Sequence, residues 1–212
     1  MVLKLEILEI YEDHIKEASQ VIKKGGIVVY PTESFYGIGA DATNEEAIKR
    51  ILRIKKRRET NPILLIIGNK KMLYSLIEDM PDIGHKLINR FWPGPLTIVF
   101  KASKNVLPVL TASTGKIGIR MSGNPVARKL SEFSGVPITG TSANISGRPP
   151  CKSADEVIEQ LQGVDLVLDA GFLDSKAATT VIDVTEKPAR IIRKGLIPER
   201  LIMECIGEIR YA

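Results

Sequence analysis

The distribution of apolar residues along the chain predicts short buried strands. Apolar runs of four or five residues bounded by polar residues, proline or glycine are typical of strands with both faces covered. Residues 3–10 instead alternate apolar and polar, which indicates a further strand near the N-terminus. The other predicted strands lie at 27–30, 63–67, 96–100, 116–120, 165–169, 180–184 and 189–193.

Apolar residues at helical spacing predict helices between these strands. In 14–24, Ile15, Ala18 and Ile22 fall on one stripe, and Gly25 provides a stop. Capping-box spacing at Thr43–Glu46 and Ser153–Glu156 predicts the starts of two more helices. The remaining predicted helices lie near 69–79, at 82–91, at 125–133 and from 198 onwards, and the helix after Ser153 runs to about 162.

This order of elements predicts an α/β fold. Strands and helices mix without a break in composition, so we expect a single domain over 1–212 with a twisted mixed sheet flanked by helices. The segments 180–184 and 189–193 are spaced like a hairpin. The sheet is therefore not expected to be purely parallel.

Composition narrows the class of protein. The 212 residues are 44% hydrophobic and 26% charged, as in soluble globular proteins, and the apolar runs are too short to cross a bilayer. The N-terminus does not have the pattern of a signal peptide, so we expect a cytoplasmic protein with no membrane partner. A net charge of +5 suggests phosphates, nucleotides or RNA as partners, although such an excess is also common on stable soluble proteins.

Cysteine and histidine are too sparse for two common kinds of site. Cys151 and Cys205 are far apart and outside metal-ligand spacing, and the histidines are His14 and His85. We therefore expect no structural zinc site and no Ser-His-Asp triad. Both cysteines are expected to be plain thiols.

Two polar clusters lie in the first third of the chain. The segment 30–42 follows a buried strand and places Thr32 and Ser34 among glycines, which fits either a binding loop or an irregular turn. The segment 52–62 ends a predicted helix with Lys-Lys-Arg-Arg. These charges fit either a phosphate clamp or a helix C-terminus that complements the macrodipole, and charge alone favours the second.

Two further polar clusters lie in the second half. The segment 135–150 contains glycines that let the backbone approach a ligand, and Ser142 and Asn144 could donate to phosphate or ribose oxygens or form an ordinary turn. Thr179 precedes one predicted strand and Arg193 ends another, where an arginine suits a sheet edge and a ligand equally. Neither a Walker loop nor a GxGxxG motif is present, so a nucleotide would need another arrangement.

Taken in order, these clusters resemble the YrdC-like family of threonylcarbamoyl-AMP synthases. The similarity covers about residues 15 to 197. Its motifs are PTESFYGIGADA at 31–42, KKR at 55–57 with NP at 61–62, FWPGPLT at 91–97, KIGIR at 116–120, GTSANISGRP at 140–149, TTVIDVT at 179–185 and IIRKG at 191–195.

The resemblance implies a fold, a reaction and a set of partners. It implies a twisted sheet around a basic concave cavity in which L-threonine, bicarbonate and ATP condense to threonylcarbamoyl-AMP and pyrophosphate, with Mg²⁺ arriving on ATP and no dedicated metal site. The product would serve threonylcarbamoyladenosine formation in tRNA through downstream threonylcarbamoyl-transferase proteins, and RNA could contact the cavity. It further implies the short, single-domain type of the family.

The family's motifs also imply roles for individual residues. The K-x-R motif falls on Lys55 and Arg57 and the S-x-N motif on Ser142 and Asn144, and these four are the catalytic candidates. The residues implied to bind ATP are Lys55, Arg57, Asn61, Ser142, Asn144 and Arg193. The residues implied to bind threonine are Ser34, Arg120, Gly140 and Thr179, with Arg120 suited to the carboxylate.

Three positions depart from the family's usual pattern. Arg58 replaces a proline, Ile66 replaces a histidine on the threonine side, and Ser34 replaces a threonine but keeps the hydroxyl. Two other hypotheses stay open. The chain could be a non-catalytic RNA-binding or ribosome-maturation factor, or a divergent YciO-like protein acting on another small acid.

Overall fold

The computed structural model describes residues 1–4, 8–175 and 177–211. Within these ranges, no helix has both the length and the apolarity needed to span a membrane. A 3-10 helix covers Lys70–Ser75. The α-helices are α1 Leu8–Lys23, α2 Glu45–Lys55, α3 Asp82–Phe91, α4 Pro108–Thr111, α5 Pro125–Ser134, α6 Ala154–Gln160 and α7 Glu199–Ile206.

The described strands form two sheets, where the sequence led us to expect one. The five-stranded sheet has the order β1-β9-β2-β3-β8, and the seven-stranded sheet has the order β12-β11-β10-β5-β6-β4-β7. Both sheets contain parallel and antiparallel pairs. The strands are β1 Val2–Lys4, β2 Val28–Tyr30, β3 Gly37–Gly39, β4 Leu65–Ile66, β5 Leu96–Lys101, β6 Lys116–Arg120, β7 Ile138–Thr139, β8 Thr141–Ser142, β9 Leu166–Asp169, β10 Thr180–Asp183, β11 Ala189–Arg193 and β12 Ile209–Tyr211.

The five-stranded sheet is covered on both faces. Because side chains alternate along a strand, Val28 and Tyr30 of β2 pack with residues of α1 and α5, while Ile27 and Val29 pack with residues of α2 and α6. All four residues are fully buried. This two-sided burial explains why the sequence of β2 is a continuous apolar run.

The seven-stranded sheet is covered by helices on one face. In β5, Ile98 and Phe100 join a core with residues of α3 and α7, whereas Thr97 and Val99 point to the opposite face and line a cavity. The neighbouring strands keep this alternation, since Ile119 of β6 is in the core. The cavity therefore lies on the face of this sheet that the helices leave open.

Most predicted elements are confirmed. The stripe of Ile15, Ala18 and Ile22 is buried in α1, and β10 pairs antiparallel with β11 as the predicted hairpin requires. Ser153 caps α6 by accepting from the Glu156 amide at 3.2 Å.

Other predictions about elements are wrong. The strand predicted for 3–10 ends at Lys4 in β1, and α1 already begins at Leu8, so the alternating pattern continues into a helix; residues 5–7 lie outside the described residues. The cap of α2 is Asn44 rather than Thr43, because the Asn44 side chain accepts from the Ala47 amide at 3.1 Å. The segment 69–79 forms only the short 3-10 helix.

Candidate active site

The open face of the seven-stranded sheet forms the floor of a cavity of about 610 Å³. The polypeptide segments 30–37 and 140–142 form other parts of its wall. Seven of the predicted site residues line it: Ser34, Arg57, Arg120, Gly140, Ser142, Thr179 and Arg193. Lys55, Asn61 and Asn144 are not among the described residues that line it, so the structure brings most of the candidates together but not all.

The K-x-R motif is divided by a change of backbone direction. Helix α2 ends at Lys55, and Lys56 takes the left-handed conformation with φ 49° and ψ 40°. Arg57 then reaches the cavity, where its Nη2 donates to the Pro62 carbonyl at 2.7 Å and its Nε to the Asn61 carbonyl at 3.4 Å. Burial lowers the pKa of Arg57. The spacing of the motif thus sends one cation inward and the other toward the cavity.

Lys55 is the inward cation and is only 1% exposed. Its Nζ donates to the Asn144 carbonyl at 2.8 Å, to Asn144 Oδ1 at 3.3 Å and, through a short contact, to the Ser142 carbonyl. Burial, followed by the charge of Arg57, lowers the pKa of Lys55 to about 7. Lys55, which the family resemblance implies as an ATP-binding residue, therefore uses its donors within the protein in this structure, and its role toward ATP stays a prediction.

The S-x-N segment turns Asn144 inward as well. Asn144 Nδ2 donates to the carbonyls of Ile145 at 3.0 Å and Arg148 at 2.7 Å, while its Oδ1 accepts from Ser142 Oγ at 2.5 Å. Ser142 itself lines the cavity. The two motif residues are thus not equivalent: Asn144 shapes the loop, and Ser142 lies at the cavity wall.

Arg120 forms the other buried cationic centre, with 4% of its surface exposed. Its Nη1 donates to Glu33 Oε1 at 2.6 Å, and Ser122 Oγ donates to the other oxygen of Glu33. Burial raises the pKa of Glu33, but the Arg120 charge and the hydrogen bonds from Ser122 and Gly123 outweigh it, so the pKa lies below its ordinary value. Arg120 Nε is buried without a hydrogen-bond partner, as expected of a guanidinium awaiting an acceptor.

Thr179 and Arg193 lie together beside this pair. Arg193 Nε donates to the Thr179 carbonyl at 3.0 Å and its Nη2 to Thr179 Oγ1 at 2.9 Å. Burial and the charge of Arg120 lower the pKa of Arg193. Two guanidinium groups with the same charge therefore influence each other in this half of the cavity, which favours a bound anion.

Ser34 and Gly140 complete the predicted threonine side. Ser34 Oγ lies 3.1 Å from Thr32 Oγ1. The Thr32 hydroxyl donates to the Phe35 carbonyl. A Cβ on Gly140 would lie 2.7 Å from side-chain atoms of Leu64 and Ile66. Gly140 is therefore required by the close packing of β4 against the 139–141 segment. Ile66 is a core residue that fills this space, and it stands where the YrdC-like pattern usually has a histidine.

Sequence reasoning missed four charged residues of the cavity region. Glu33 sits inside the PTESFYGIGADA motif, where an acid directly between two hydroxyl residues was the available signal, and the structure buries both of these, Thr32 and Ser34. Lys116 and Asp183 form a pair at 2.9 Å on the cavity floor. Arg190 also lines the cavity and has a buried Nε without a partner. The alternation of Lys116 and Arg120 with isoleucines in KIGIR was the signal for a charged face.

The described lining residues offer little to a metal ion. Asp183 is the one carboxylate among them, and it is 1% exposed. It accepts from Lys116 Nζ at 2.9 Å and Thr185 Oγ1 at 2.6 Å, so its oxygens are already engaged. No group of three or more potential metal ligands occurs in the described part of the chain.

Comparison with known proteins gives a consistent picture. A family model for Sua5, YciO and YrdC proteins, described as telomere recombination, matches residues 20–195. The chain is 40% identical over 202 residues to threonylcarbamoyl-AMP synthase of Pyrococcus abyssi, an alignment covering 95% of this chain and 59% of that protein. It is 31% identical over 184 residues to threonylcarbamoyl-AMP synthase of Aliivibrio fischeri, covering 86% of this chain and 99% of that protein.

A solved structure agrees with the fold. The crystal structure of P. abyssi Sua5 complexed with L-threonine matches with a TM-score of 0.94 and 38% identity, covering 100% of this chain and 62% of that one. The chain thus spans about three fifths of the length of the P. abyssi protein. The α/β fold class and the family resemblance predicted from the motifs are confirmed, and the chain belongs to the Sua5, YciO and YrdC family.

Proposed function

We propose that the chain condenses L-threonine, bicarbonate and ATP to threonylcarbamoyl-AMP and pyrophosphate. The observation that carries the proposal is that one cavity collects Arg57, Arg120 and Arg193, while its one lining carboxylate among the described residues is already paired. At neutral pH, bicarbonate and ATP are anions, and threonine is a zwitterion with a negatively charged carboxylate. In the described part of the chain, Arg57 and Arg193 donate to carbonyl and hydroxyl oxygens rather than to a carboxylate, so their charge is suited to hold these substrates together.

The cavity divides into two sides with different chemistry. On the phosphate side, Arg57 and Ser142 line the wall, and Asn61 contributes the carbonyl that holds Arg57. On the carboxylate side, Arg120 presents an unpartnered Nε. We propose that ATP occupies the first side with Arg193 at the border, and that threonine occupies the second with Ser34, Gly140 and Thr179.

The chemistry requires positioning more than covalent help. The threonine nitrogen forms a bond to the bicarbonate carbon with loss of water, and a carbamate oxygen then attacks the α-phosphorus of ATP as pyrophosphate leaves. The protein must align these groups and offset the charge that develops on phosphate oxygens. Arginines provide both fixed donors and charge. Mg²⁺ is proposed to enter on the phosphates of ATP and to neutralise part of their charge.

Turnover with omitted substrates tests the proposal. With Mg²⁺ present, pyrophosphate release and threonylcarbamoyl-AMP detected by mass spectrometry are expected only when threonine, bicarbonate and ATP are all supplied. Absence of product from correctly folded protein would refute the assignment. Product from another small amino acid but not from threonine would instead support a YciO-like activity.

A non-catalytic RNA-binding role is the alternative, and the positive charge of the chain favours it. It predicts RNA binding that weakens steeply with salt and is indifferent to ATP. The synthase proposal instead predicts product formation that requires ATP. If the synthase proposal holds, tRNA-modifying threonylcarbamoyl-transferases are the partners that would receive the product.

A further inference from the structure

We propose that Lys55 is a positioning residue, which holds the Ser142–Asn144 segment in the shape that receives the nucleotide and does not contact the nucleotide itself. The identity of the ligand rests on the proposed function. The role of Lys55 in ordering the segment does not, since it concerns the protein without substrate.

The hydrogen bonds of Lys55 are saturated. An ammonium group has three N–H donors, and Lys55 Nζ has three oxygen partners, namely the Ser142 carbonyl, the Asn144 carbonyl and Asn144 Oδ1. All three belong to one short segment. No donor is left for a phosphate unless one of these bonds breaks, and the side chain is almost fully buried.

The main chain of Lys55 reinforces the same connection. Its carbonyl accepts from the Ser146 amide at 2.8 Å, so both the backbone and the side chain of the last residue of α2 contact the segment 142–146. Helix α2 is itself fixed in the core through the buried Ile51 and Leu52. Lys55 therefore fixes the position of Ser142 at the cavity wall relative to a helix that is held in the core.

Electrostatics make this connection depend on a proton. The groups that face Lys55 with a charge or a titratable proton are Arg57 on its own segment and the Cys151 thiol on the opposite one. No described ion pair joins Lys55 to a carboxylate, and its partners are neutral oxygens. Loss of a proton would leave two donors for three acceptors, so one of these three hydrogen bonds to the segment would be lost.

A pair of matched variants separates positioning from phosphate contact. Lys55→Met removes the buried ammonium, and Lys56→Met removes the adjacent exposed one as a control. In substrate-free protein, we expect hydrogen exchange at the amides of Asn144, Ile145 and Ser146 to be about tenfold faster in Lys55→Met and unchanged in the control. Affinities for AMP and for Mg-ATP should fall by similar factors.

The contrary outcome is equally specific. Unchanged exchange at these amides, together with a loss of Mg-ATP affinity much larger than the loss of AMP affinity, would show that Lys55 contacts the outer phosphates and would overturn the proposal. Absence of turnover in wild-type protein would refute the synthase assignment but leave the exchange result standing. The two failures are therefore distinguishable.

A titration of wild-type protein decides the matter if Lys55→Met does not fold. The side-chain NMR signals of Lys55 should titrate well below the pKa of an ordinary lysine, and the amide signals of 144–146 should shift with the same midpoint. Segment signals that stay constant while Lys55 loses its proton would contradict the proposal. The measurement needs no substrate and no activity.

Discussion

Lys55 and Arg120 are both buried cations beside the same cavity, but their surroundings differ. Lys55 gives its hydrogen bonds to neutral oxygens of one loop and does not line the cavity. Arg120 pairs with the carboxylate of Glu33, lines the cavity and keeps a buried Nε without a partner. One cation completes the protein's own structure, whereas the other is only partly satisfied without a ligand.

This difference shows why a buried charge does not by itself identify a ligand contact. Burial lowers the pKa of Lys55 and leaves no donor unused. In Arg120 the planar fork allows one nitrogen to hold Glu33 while another remains available. The number of donors left after internal bonding is thus a better guide to binding than charge or burial.

Among the changes that test this comparison, replacement of Arg120 should have the largest effect, and it should act on catalysis with threonine. Arg120→Gln removes the proposed partner of the threonine carboxylate, so kcat/KM for threonine should fall about 100-fold or more, since charge-assisted pairs in desolvated sites are strong. The dissociation constant of threonine, measured by calorimetry, should rise by a similar factor. Arg90→Gln, at an exposed position, serves as the control.

A folding defect in Arg120→Gln must be separated from a binding defect. The single variant leaves Glu33 buried without its counter-charge, which destabilises the fold. The double variant Arg120→Gln/Glu33→Gln removes both charges and should recover most of the stability but none of the threonine binding. Recovery of binding in the double variant would show that Arg120 only offsets Glu33.

The next largest effect is expected on stability, from Glu33→Gln. The pKa of Glu33 lies below its ordinary value, so the folded state favours the carboxylate and gains stability above the pKa of the unfolded chain. At pH 7 the variant should be less stable by about 3 kcal/mol, and the difference should shrink as the pH falls from the pKa of the unfolded carboxyl through the lower pKa of Glu33 in the folded protein.

Urea unfolding at a series of pH values measures this difference. A constant gap between wild type and Glu33→Gln from neutral to acid pH would contradict the charge-pair explanation and point to packing instead. Glu59→Gln, at an exposed position, should show little change at any pH.

Arg193→Gln should have a smaller effect than Arg120→Gln or Glu33→Gln. Arg193 is an exposed residue overall, and its recorded partners are two oxygens of Thr179. We expect kcat/KM for ATP to fall about tenfold, equivalent to about 1.4 kcal/mol, because a more solvated charge contributes less. Steady-state kinetics with ATP varied at saturating threonine provide the measurement, and a loss greater than that in Arg120→Gln would reverse the comparison.

The fold was largely predictable because its strands and helices have strong periodicity. Continuous apolar runs such as 27–30 and the stripe in α1 predicted elements that the structure confirms. The two-residue strand β8 was missed, since two residues cannot show a period. The division into two sheets was also missed, because pairing between distant strands leaves no local signal.

The sequence predicted which residues form the site better than it predicted how their side chains are arranged. Ordered motifs identified Arg57, Ser142 and Arg120, and all three line the cavity. They did not reveal that Lys55 turns inward: it lies on the buried stripe of α2 with Ile48 and Ile51, but a lysine at such a position is ordinarily expected at the surface. Nor could motif spacing show that Glu33 would meet Arg120 across 87 positions of sequence.

The smallest effect is expected at Cys151, and it tests whether Lys55 truly lacks an anionic partner. Burial, followed by the charge of Glu156, raises the pKa of Cys151 to about 11, although Lys55 opposes the shift. At pH 7.5, about one unit below the ordinary thiol pKa, the side chain of Cys151 should therefore be a neutral thiol. Iodoacetamide should then label Cys205 but not Cys151 in folded protein. Mass spectrometry of digested, labelled protein makes the comparison, and unfolded protein labelled at both residues provides the control. Rapid labelling of Cys151 would mean that a thiolate pairs with Lys55, and the contrast with the Arg120–Glu33 pair would then disappear.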